Sequence, residues 1–167
     1  DYMGATKKLD TLKKRQTLSV DIENRLENFE FQLIIQNNQV LSYFEKHPDP
    51  AKAFQSLRYR VRSTKGNGED LFEKLCRAYI KRDPKTIEGH EALALYLFQQ
   101  GRYENALPVY ETLLKLKPSA FHRSNYIRCL IRLERLEEAL TLTEQYLLHG
   151  RLATHSLEQA AIYAKLD

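Results

Sequence analysis

The feature that most constrains the fold is an internal repeat with a period of about 34 residues. Pro84 and Pro118 are one such period apart, and each follows a stretch that ends in basic residues, AYIKRDP and TLLKLKP. A second register supports this period, because GRYENAL at 101–107 resembles ERLEEAL at 134–140. A fixed period of this length is typical of stacked supersecondary units.

The repeated segments have the periodicity of helices that pack on one another. Apolar residues spaced i, i+3, i+4 and i+7 share one helix face. They occur at Leu93, Ala94 and Leu97, again at Tyr126, Ile127 and Leu130, and again at Leu157, Ala160, Ala161 and Ala164. Small residues that let neighbouring helices approach closely lie at Ala94, Ala106, Ala139 and Ala161. Gly101 suits the turn of an antiparallel hairpin, and Pro118 ends that hairpin.

This pattern resembles the tetratricopeptide repeat family, whose unit is a helix–turn–helix of about 34 residues. The best copy ends at Pro118 and matches at Leu93, Ala94, Leu97, Gly101, Tyr103, Ala106, Tyr110 and Leu113. The copy from about 120 to 151 matches at Tyr126, Ile127, Leu130, Leu136, Ala139 and Tyr146. The copies depart from the family at His90, where a large apolar residue is usual. Glu134 and Arg151 replace the turn glycine and the final proline of the second copy.

The resemblance covers about residues 69–166 and implies an all-α fold. This fold would be a right-handed helix-turn-helix repeat solenoid of about three incomplete repeats, with a long N-terminal helix in front. Residues 69–84 are predicted to form the second helix of an upstream unit, with 51–62 as a weakly matching partner. Residues 154–166 are expected to form the first helix of another repeat, or a capping helix. The predicted division is a basic flexible segment at 1–18, a capping or dimerising helix at 19–47, and the repeat domain at 48–167.

The long helix predicted from Ser19 to about Lys46 is apolar on two faces. One face follows a 4-3 spacing at Ile22, Leu26, Phe29, Leu33, Val40 and Tyr43, interrupted by Gln36. The other face carries Phe31, Ile34, Ile35, Leu41 and Phe44. A helix that is apolar on two faces needs packing partners for both. Two interpretations remain open: the helix caps the first repeat or the next helix, or one face contacts a second protein chain.

The charge distribution is mild for a chain of 167 residues with 43% hydrophobic and 29% charged residues. The formal net charge is +4, and the basic residues form two local clusters, at 7–15 and at 58–65. Both clusters are interpreted as solvated surface, with nucleic-acid or anionic-surface binding as the alternative for Arg58–Lys65. Leu57–Arg62 alternates apolar and basic residues like a strand, but a lone strand would have no partner, so we predict a helix there.

The cysteines and the lengths of the apolar runs bear on the cellular compartment in which the protein would be found. Cys76 and Cys129 lie far apart within helical patterns and are predicted to act as small buried apolar groups. That interpretation slightly favours a soluble domain in the cytoplasm. No apolar run reaches the roughly 18 residues of a membrane span, and no signal-peptide pattern opens the chain. A first residue of Asp1 is compatible with a fragment of a longer or anchored protein.

No catalytic, cofactor or metal motif emerges from the sequence. The histidines lie at 47, 90, 122, 149 and 155, and no pair has HExxH or zinc-finger spacing. Nucleophile and dinucleotide motifs are absent, and neighbouring acids such as Glu137 and Glu138 point in different directions on a helix. We therefore expect no enzymatic activity, no cofactor and no metal site.

The resemblance implies that the first helix of each repeat, predicted at about 87–99, 120–132 and 154–166, lines a concave binding face. Helical spacing puts the following residues on the exposed stripe of these helices: Glu91, Leu95, Phe98, Gln99, Asn125, Arg128, Ile131, Arg132, Gln159 and Ile162. Glu88, Phe121, Ser124 and Glu158 follow the same stripe. Arg128 and Arg132 lie one turn apart and suit a carboxylate or an acidic peptide. Asn125 could hydrogen-bond a peptide backbone.

These features predict a non-catalytic protein–protein interaction module, such as a scaffold, an adaptor or a chaperone-like subunit. Its partner would be a peptide or a helix with apolar and acidic groups. Some family members clamp a C-terminal carboxylate with Lys, Asn and Arg side chains. That clamp is not expected here, because Glu91 takes a position where a basic residue is required. The alternatives are self-association through the N-terminal helix and, less favoured, nucleic-acid binding.

Overall fold

The computed structural model describes residues 4, 7, 8, 11, 20–36, 38–63 and 68–148. In the last three of these ranges the chain forms eight α-helices and no β-strand. The helices are α1 (Val20–Gln36), α2 (Val40–Lys46), α3 (Pro50–Arg62), α4 (Gly68–Arg82), α5 (Ile87–Gln99), α6 (Tyr103–Leu116), α7 (Ala120–Arg132) and α8 (Leu136–Leu148). The all-α fold class is confirmed.

The chain divides into two compact units, Asp1–Arg82 and Asp83–Asp167. In the first unit α3 packs against α4, α2 packs on both of them, and α1 contacts α2 and α3. In the second unit α5 packs against α6, α6 against α7, and α7 against α8. The domain division drawn from the sequence stays a prediction. Most of segment 1–18 and the whole helix expected at 154–166 lie outside the described residues.

The stretch expected to be one long N-terminal helix contains two helices, α1 and α2. The chain turns at Asn38, which has a left-handed backbone with φ of 57°. The Asn38 amide donates to the Ile35 carbonyl at 3.1 Å, and the Gln39 amide donates to the Ile34 carbonyl at 2.8 Å. This is the hydrogen-bond pattern of a helix end with asparagine in the left-handed position. Asparagine adopts that conformation at lower cost than most residues, so the helix ends before Val40.

The core of the first unit is built from aromatic rings of three helices. Phe44 of α2 and Phe54 of α3 are fully buried, and Tyr79 of α4 lies between them. The Tyr79 ring centroid is 5.9 Å from that of Phe44 and 4.8 Å from that of Phe54. The Arg82 guanidinium donates to the carbonyls of Phe44 at 2.6 Å and His47 at 3.0 Å. This arginine therefore satisfies carbonyls at the end of α2 that no helical amide reaches.

The alternating segment Leu57–Arg62 belongs to helix α3, as predicted. Its three arginines pack over aromatic rings. The guanidinium carbon of Arg58 lies 4.5 Å from the ring centroid of Tyr59. The guanidinium carbon of Arg60 lies 4.4 Å from the ring centroid of Phe31, and that of Arg62 lies 5.3 Å from the ring centroid of Phe72. Contacts of this kind help to hold a guanidinium in place. Binding of a polyanion to Arg58–Lys65 stays a prediction, and Lys65 lies outside the described residues.

In the second unit, the two hairpins use the same local devices at equivalent positions of the repeat. Thr86 caps α5 by accepting a hydrogen bond from the Gly89 amide, at 3.2 Å. Ser119 caps α7 in the same way, accepting from the His122 amide at 3.1 Å. A capped N-terminus satisfies an amide that has no partner within the helix. The caps explain why α5 and α7 begin at the residues that the sequence predicted.

Small side chains allow the hairpin helices to approach closely. Ala94, Ala106 and Ala139 are all buried with no exposed surface, as are Leu97 and Leu130. Cys129 takes a similar place, and burial raises the pKa of its thiol to about 12. Burial likewise raises the pKa of the Cys76 thiol to about 12 in the first unit. Both cysteines are free, and they pack as small apolar groups, as the sequence predicted.

The turns of both hairpins place one residue in the left-handed region. Gly101 has a φ of 70° and Glu134 a φ of 59°. The Arg102 amide donates to the Leu97 carbonyl at 2.9 Å, and the Arg135 amide donates to the Leu130 carbonyl at 3.0 Å. The two turns therefore have the same geometry, although only the first has the glycine that this geometry favours.

We expect that replacing Glu134 by glycine raises the free energy of unfolding by about 1 kcal/mol, because a side chain in the left-handed region costs about 1–2 kcal/mol. The reverse change, Gly101→Ala, should lower it by a similar amount. A Cβ at position 101 would meet nothing within 4 Å, so its cost would be conformational. Urea unfolding measures both changes. Glu134→Ala is the control, since it keeps the strain, and equal stability of the alanine and glycine variants would contradict the prediction.

Candidate functional site

The candidate site is the face formed by the first helices of the two hairpins, here named the α5–α7 face. It comprises Glu91, Leu95, Phe98 and Gln99 of α5, and Phe121, Asn125, Arg128, Ile131 and Arg132 of α7. Two contacts show that these helices lie side by side. The His122 Nε2 atom is 3.0 Å from Glu91 Oε1, and the Arg128 guanidinium carbon is 5.3 Å from the Phe98 ring centroid. The structure thus brings residues from both repeats onto one surface.

Helix α7 presents its residues to this face in a row with spacing of four, three and four residues. Phe121 begins the row and is 60% exposed, and Asn125 follows at only 5% exposure. Arg128 and Arg132 continue it and are both exposed. Ile131, on the neighbouring turn, is half-buried. The row therefore combines an exposed aromatic ring, a buried amide and two cations.

Asn125 is the most unusual member of the row. Its side-chain Nδ2 is buried, and among the described residues no group accepts a hydrogen bond from it. A buried polar group without a partner costs about 1–3 kcal/mol, so native proteins contain few of them. The amide of Asn125 is therefore a donor that the described part of the chain leaves unused.

A second unpaired polar atom lies on the neighbouring helix α6. The Tyr110 hydroxyl is buried, and no partner for it exists in the described ranges. Burial raises the pKa of Tyr110 above its ordinary value of 10.0, and the nearby Cys129 raises it further, whereas Arg128 lowers it. These electrostatic effects indicate that the Tyr110 hydroxyl lies near Cys129 and Arg128 of α7.

Helix α5 contributes apolar groups to the face. Leu95 is 38% exposed, although leucine is usually buried in helices of this kind. Phe98 is half-buried, with its ring centroid 5.3 Å from that of Tyr103 in an edge-on arrangement. Gln99, at the end of the helix, is exposed. Together with Phe121, Leu95 and Phe98 give the α5–α7 face three accessible apolar groups.

Glu91 has a role within the chain that its sequence position does not reveal. The His122 side chain is 2% exposed, and its Nδ1 lies 2.9 Å from the Lys117 carbonyl, at the end of α6. Its other ring nitrogen faces the Glu91 carboxylate, which is 41% exposed. His122 thus connects the end of α6 to α5. The Glu91 carboxylate therefore takes part in a contact between the two repeats.

In the described part of the chain, the two arginines of the row have no acidic partner. Within 20–36, 38–63 and 68–148, neither Arg128 nor Arg132 forms an ion pair with a carboxylate. By contrast, Arg135 makes a two-point contact with Glu138, with Nε to Oε1 at 2.7 Å and Nη2 to Oε2 at 2.8 Å. The exposed charges at Arg128 and Arg132 are thus available to an anionic group from another molecule.

The structure leaves two of the sequence-predicted site residues undescribed, since Gln159 and Ile162 lie outside the described residues. The connection between Glu91 and His122 was missed by sequence reasoning. The cap at Ser119 could have hinted at it, because a capped start places His122 in the first turn of α7, near the preceding helix end.

The described part of the chain contains neither a cluster of metal ligands nor a membrane-spanning helix. No group of three or more His, Cys, Asp or Glu side chains could hold a metal ion there. Among the same residues, no helix combines the length and the apolar character that crossing a membrane requires.

Comparison with known families identifies the architecture. A family model described as tetratricopeptide repeat matches residues 72–121 and 91–156, which together span just over half of the 167 residues. The chain belongs to the tetratricopeptide repeat family. No curated protein matches the chain. The repeats of this family generally mediate protein–protein interaction, and family members are typically non-catalytic interaction modules.

The matched segments explain the symmetry of the site. They include α5 and α7 entirely, so the α5–α7 face is composed of equivalent helices from two tetratricopeptide repeats. The departure at His90 is accommodated inside its own helix, because its ring Nδ1 lies 2.6 Å from the Thr86 carbonyl. A polar residue can therefore replace the usual apolar one in this repeat without leaving that ring nitrogen unpaired.

Proposed function

We propose that the chain is a non-catalytic protein-interaction module that binds a peptide segment of another protein on the α5–α7 face. The segment would be extended or helical and would carry acidic and apolar groups. A role as a scaffold, an adaptor or a chaperone-like subunit follows from such binding, because each of these depends on holding a partner without chemical change.

The observation that carries this proposal is the exposed row on α7, where Phe121 is 60% exposed and Arg128 and Arg132 are both exposed on the same face. Arg128 and Arg132 lie one turn apart on the helix, so both guanidinium groups could contact one ligand. Asn125 lies within the row, but its Nδ2 has no accessible surface, so it is not a direct contact for a ligand.

Charge and exposed apolar surface support the same partner chemistry. Arg128 and Arg132 would pair with Asp or Glu side chains, and a guanidinium binds a carboxylate through two parallel hydrogen bonds. Leu95, Phe98 and Phe121 would contact apolar side chains of the peptide. Apolar contacts contribute roughly 25 cal/mol for each Å² removed from water.

The double substitution Arg128→Glu and Arg132→Glu tests the proposal. We expect the wild-type chain to retain peptides of about 12 residues that combine Asp or Glu with Leu or Phe, from an immobilised peptide library. The double variant should bind the same peptides at least about 100-fold more weakly, because two attractions become repulsions. Fluorescence anisotropy on the selected peptides measures the change.

A control with the same change of net charge separates a local effect from a general one. Lys81 and Lys85 are exposed and lie outside the α5–α7 face. Their double replacement by glutamate should leave peptide affinity within about threefold of wild type. Circular dichroism should show equal helicity in all three proteins. If the arginine variant bound peptides as the wild type does, the binding surface would lie elsewhere.

A further inference from the structure

The apolar face of helix α1 that carries Ile22 and Phe29 remains partly exposed when the first unit is folded. Phe31 and Ile34 are buried at 3% and 1% exposure, and the Phe31 ring packs edge-on against that of Tyr43. Arg60 of α3 also covers Phe31 and donates a hydrogen bond to Asn28, at 2.7 Å. These contacts define the side of α1 that packs on the rest of its own unit.

The opposite side of α1 carries an apolar stripe, Ile22, Leu26, Phe29 and Leu33. On a helix with about 100° per residue, Ile22 lies about 180° from Phe31, and Phe29 lies about 160° from it. Ile22 is 43% exposed and Phe29 is 50% exposed, whereas Leu26 and Leu33 are half-buried. The spacing of four, three and four residues is that of a coiled-coil seam. A stripe this narrow suits one partner helix rather than a packed core.

The charges beside the stripe favour a second copy of the same helix in parallel orientation. If Leu26 and Leu33 are the a positions of the heptad and Ile22 and Phe29 the d positions, Arg25 is a g position and Glu30 an e position. In a parallel pair, a g residue meets the e residue five positions later on the partner helix. Arg25 of each chain would therefore meet Glu30 of the other chain, twice by symmetry. In an antiparallel pair g faces g and e faces e, so these opposite charges would not meet.

We propose that α1 joins two copies of this chain in a parallel, two-stranded seam through Ile22, Leu26, Phe29 and Leu33, flanked by Arg25–Glu30 pairs. Arg25 is exposed, and in the described part of the chain its guanidinium has no acidic partner. The Glu30 carboxylate has two oxygens and can accept further hydrogen bonds besides those within its own chain. Contacts with α2 and α3 hold α1 in a helical form, so the seam need not stabilise an isolated short helix. This inference goes beyond the proposed function, because it involves a different surface and a different unit.

Sedimentation equilibrium on the full chain tests the proposal. The wild type should pass from 19.6 kDa towards twice that mass as its concentration rises through the micromolar range. Ile22→Glu with Phe29→Glu should weaken association at least about 100-fold, because charges would be buried in the seam. Asn105→Glu with Thr141→Glu adds the same charge at exposed sites of the second unit and should change nothing. A wild type that stays monomeric, or the mass of three or four chains, would overturn the two-chain seam.

Charge exchange tests the parallel orientation. Arg25→Glu alone and Glu30→Arg alone should each weaken association about tenfold, because each creates two repulsive pairs. The double exchange, Arg25→Glu with Glu30→Arg, should restore association to within about threefold of wild type. If the double exchange gave no recovery over the single variants, the parallel arrangement would be wrong. Peptide binding on the α5–α7 face is measured separately and is expected to be unaffected by all of these changes.

Discussion

Replacing His122 by alanine is expected to lower the free energy of unfolding by about 3 kcal/mol. The imidazole is almost fully buried, and its removal would leave a cavity between α5 and the end of α6. It would also remove the partners of the Lys117 carbonyl and the Glu91 carboxylate. Urea unfolding followed by circular dichroism measures the loss.

A double-mutant cycle with Glu91→Gln isolates the contact between α5 and α7. A neutral imidazole donates one of the two observed hydrogen bonds, and an imidazolium donates both. Because the glutamine carbonyl can still accept, Glu91→Gln should cost only about 1 kcal/mol in the wild type. In the His122→Ala background the same change should have almost no effect, since its partner is absent. A loss below about 1 kcal/mol for His122→Ala would show that the connection contributes little to stability.

Replacing Asn125 by leucine is expected to increase stability and to leave peptide binding nearly unchanged. Leucine has a similar size and no donor, so the change removes the buried unpaired Nδ2. The free energy of unfolding should rise by about 1–2 kcal/mol. The affinity for the peptides selected by the wild type should stay within about threefold of the wild-type value, because Nδ2 has no surface that a ligand could reach.

Tyr110→Phe provides the matched control for the stability effect. It removes the other buried and unpaired polar atom but preserves the ring that fills the core. We expect a gain of about 1 kcal/mol with peptide affinity within about twofold of wild type. A lower stability of the Asn125→Leu variant would mean that the amide has a partner within the chain. A loss of peptide affinity of more than about tenfold in that variant would show that the amide becomes accessible and contacts the peptide.

The helices of the second unit were predictable because the signals that define them are local. Thr86 and Ser119 cap the helices that follow them, and apolar residues recur on one face of each. The bounds expected for the first helices, 87–99 and 120–132, agree with α5 and α7. The regular period then identifies the repeat, because each hairpin must bury its apolar face against the next one.

The end of α1 was missed, although its signal is also local. The sequence has two asparagines, at 37 and 38, within an otherwise apolar pattern. The apolar residues that follow them suggested a continuation of one helix. Asn38 instead takes the left-handed conformation and ends the helix. A periodic pattern on both sides of a turn does not by itself show whether the backbone between them is continuous.

The helix positions and the hairpin pairing of the second unit follow from this sequence alone, since they depend on residues close together along the chain. The burial of the Asn125 amide and the pairing of His122 with Glu91, from the preceding repeat, were decided only by the tertiary structure. Helical periodicity predicts the direction in which a side chain points from its own helix. Whether water or a neighbouring helix lies in that direction depends on how the helices stack, because burial is a property of the packed assembly.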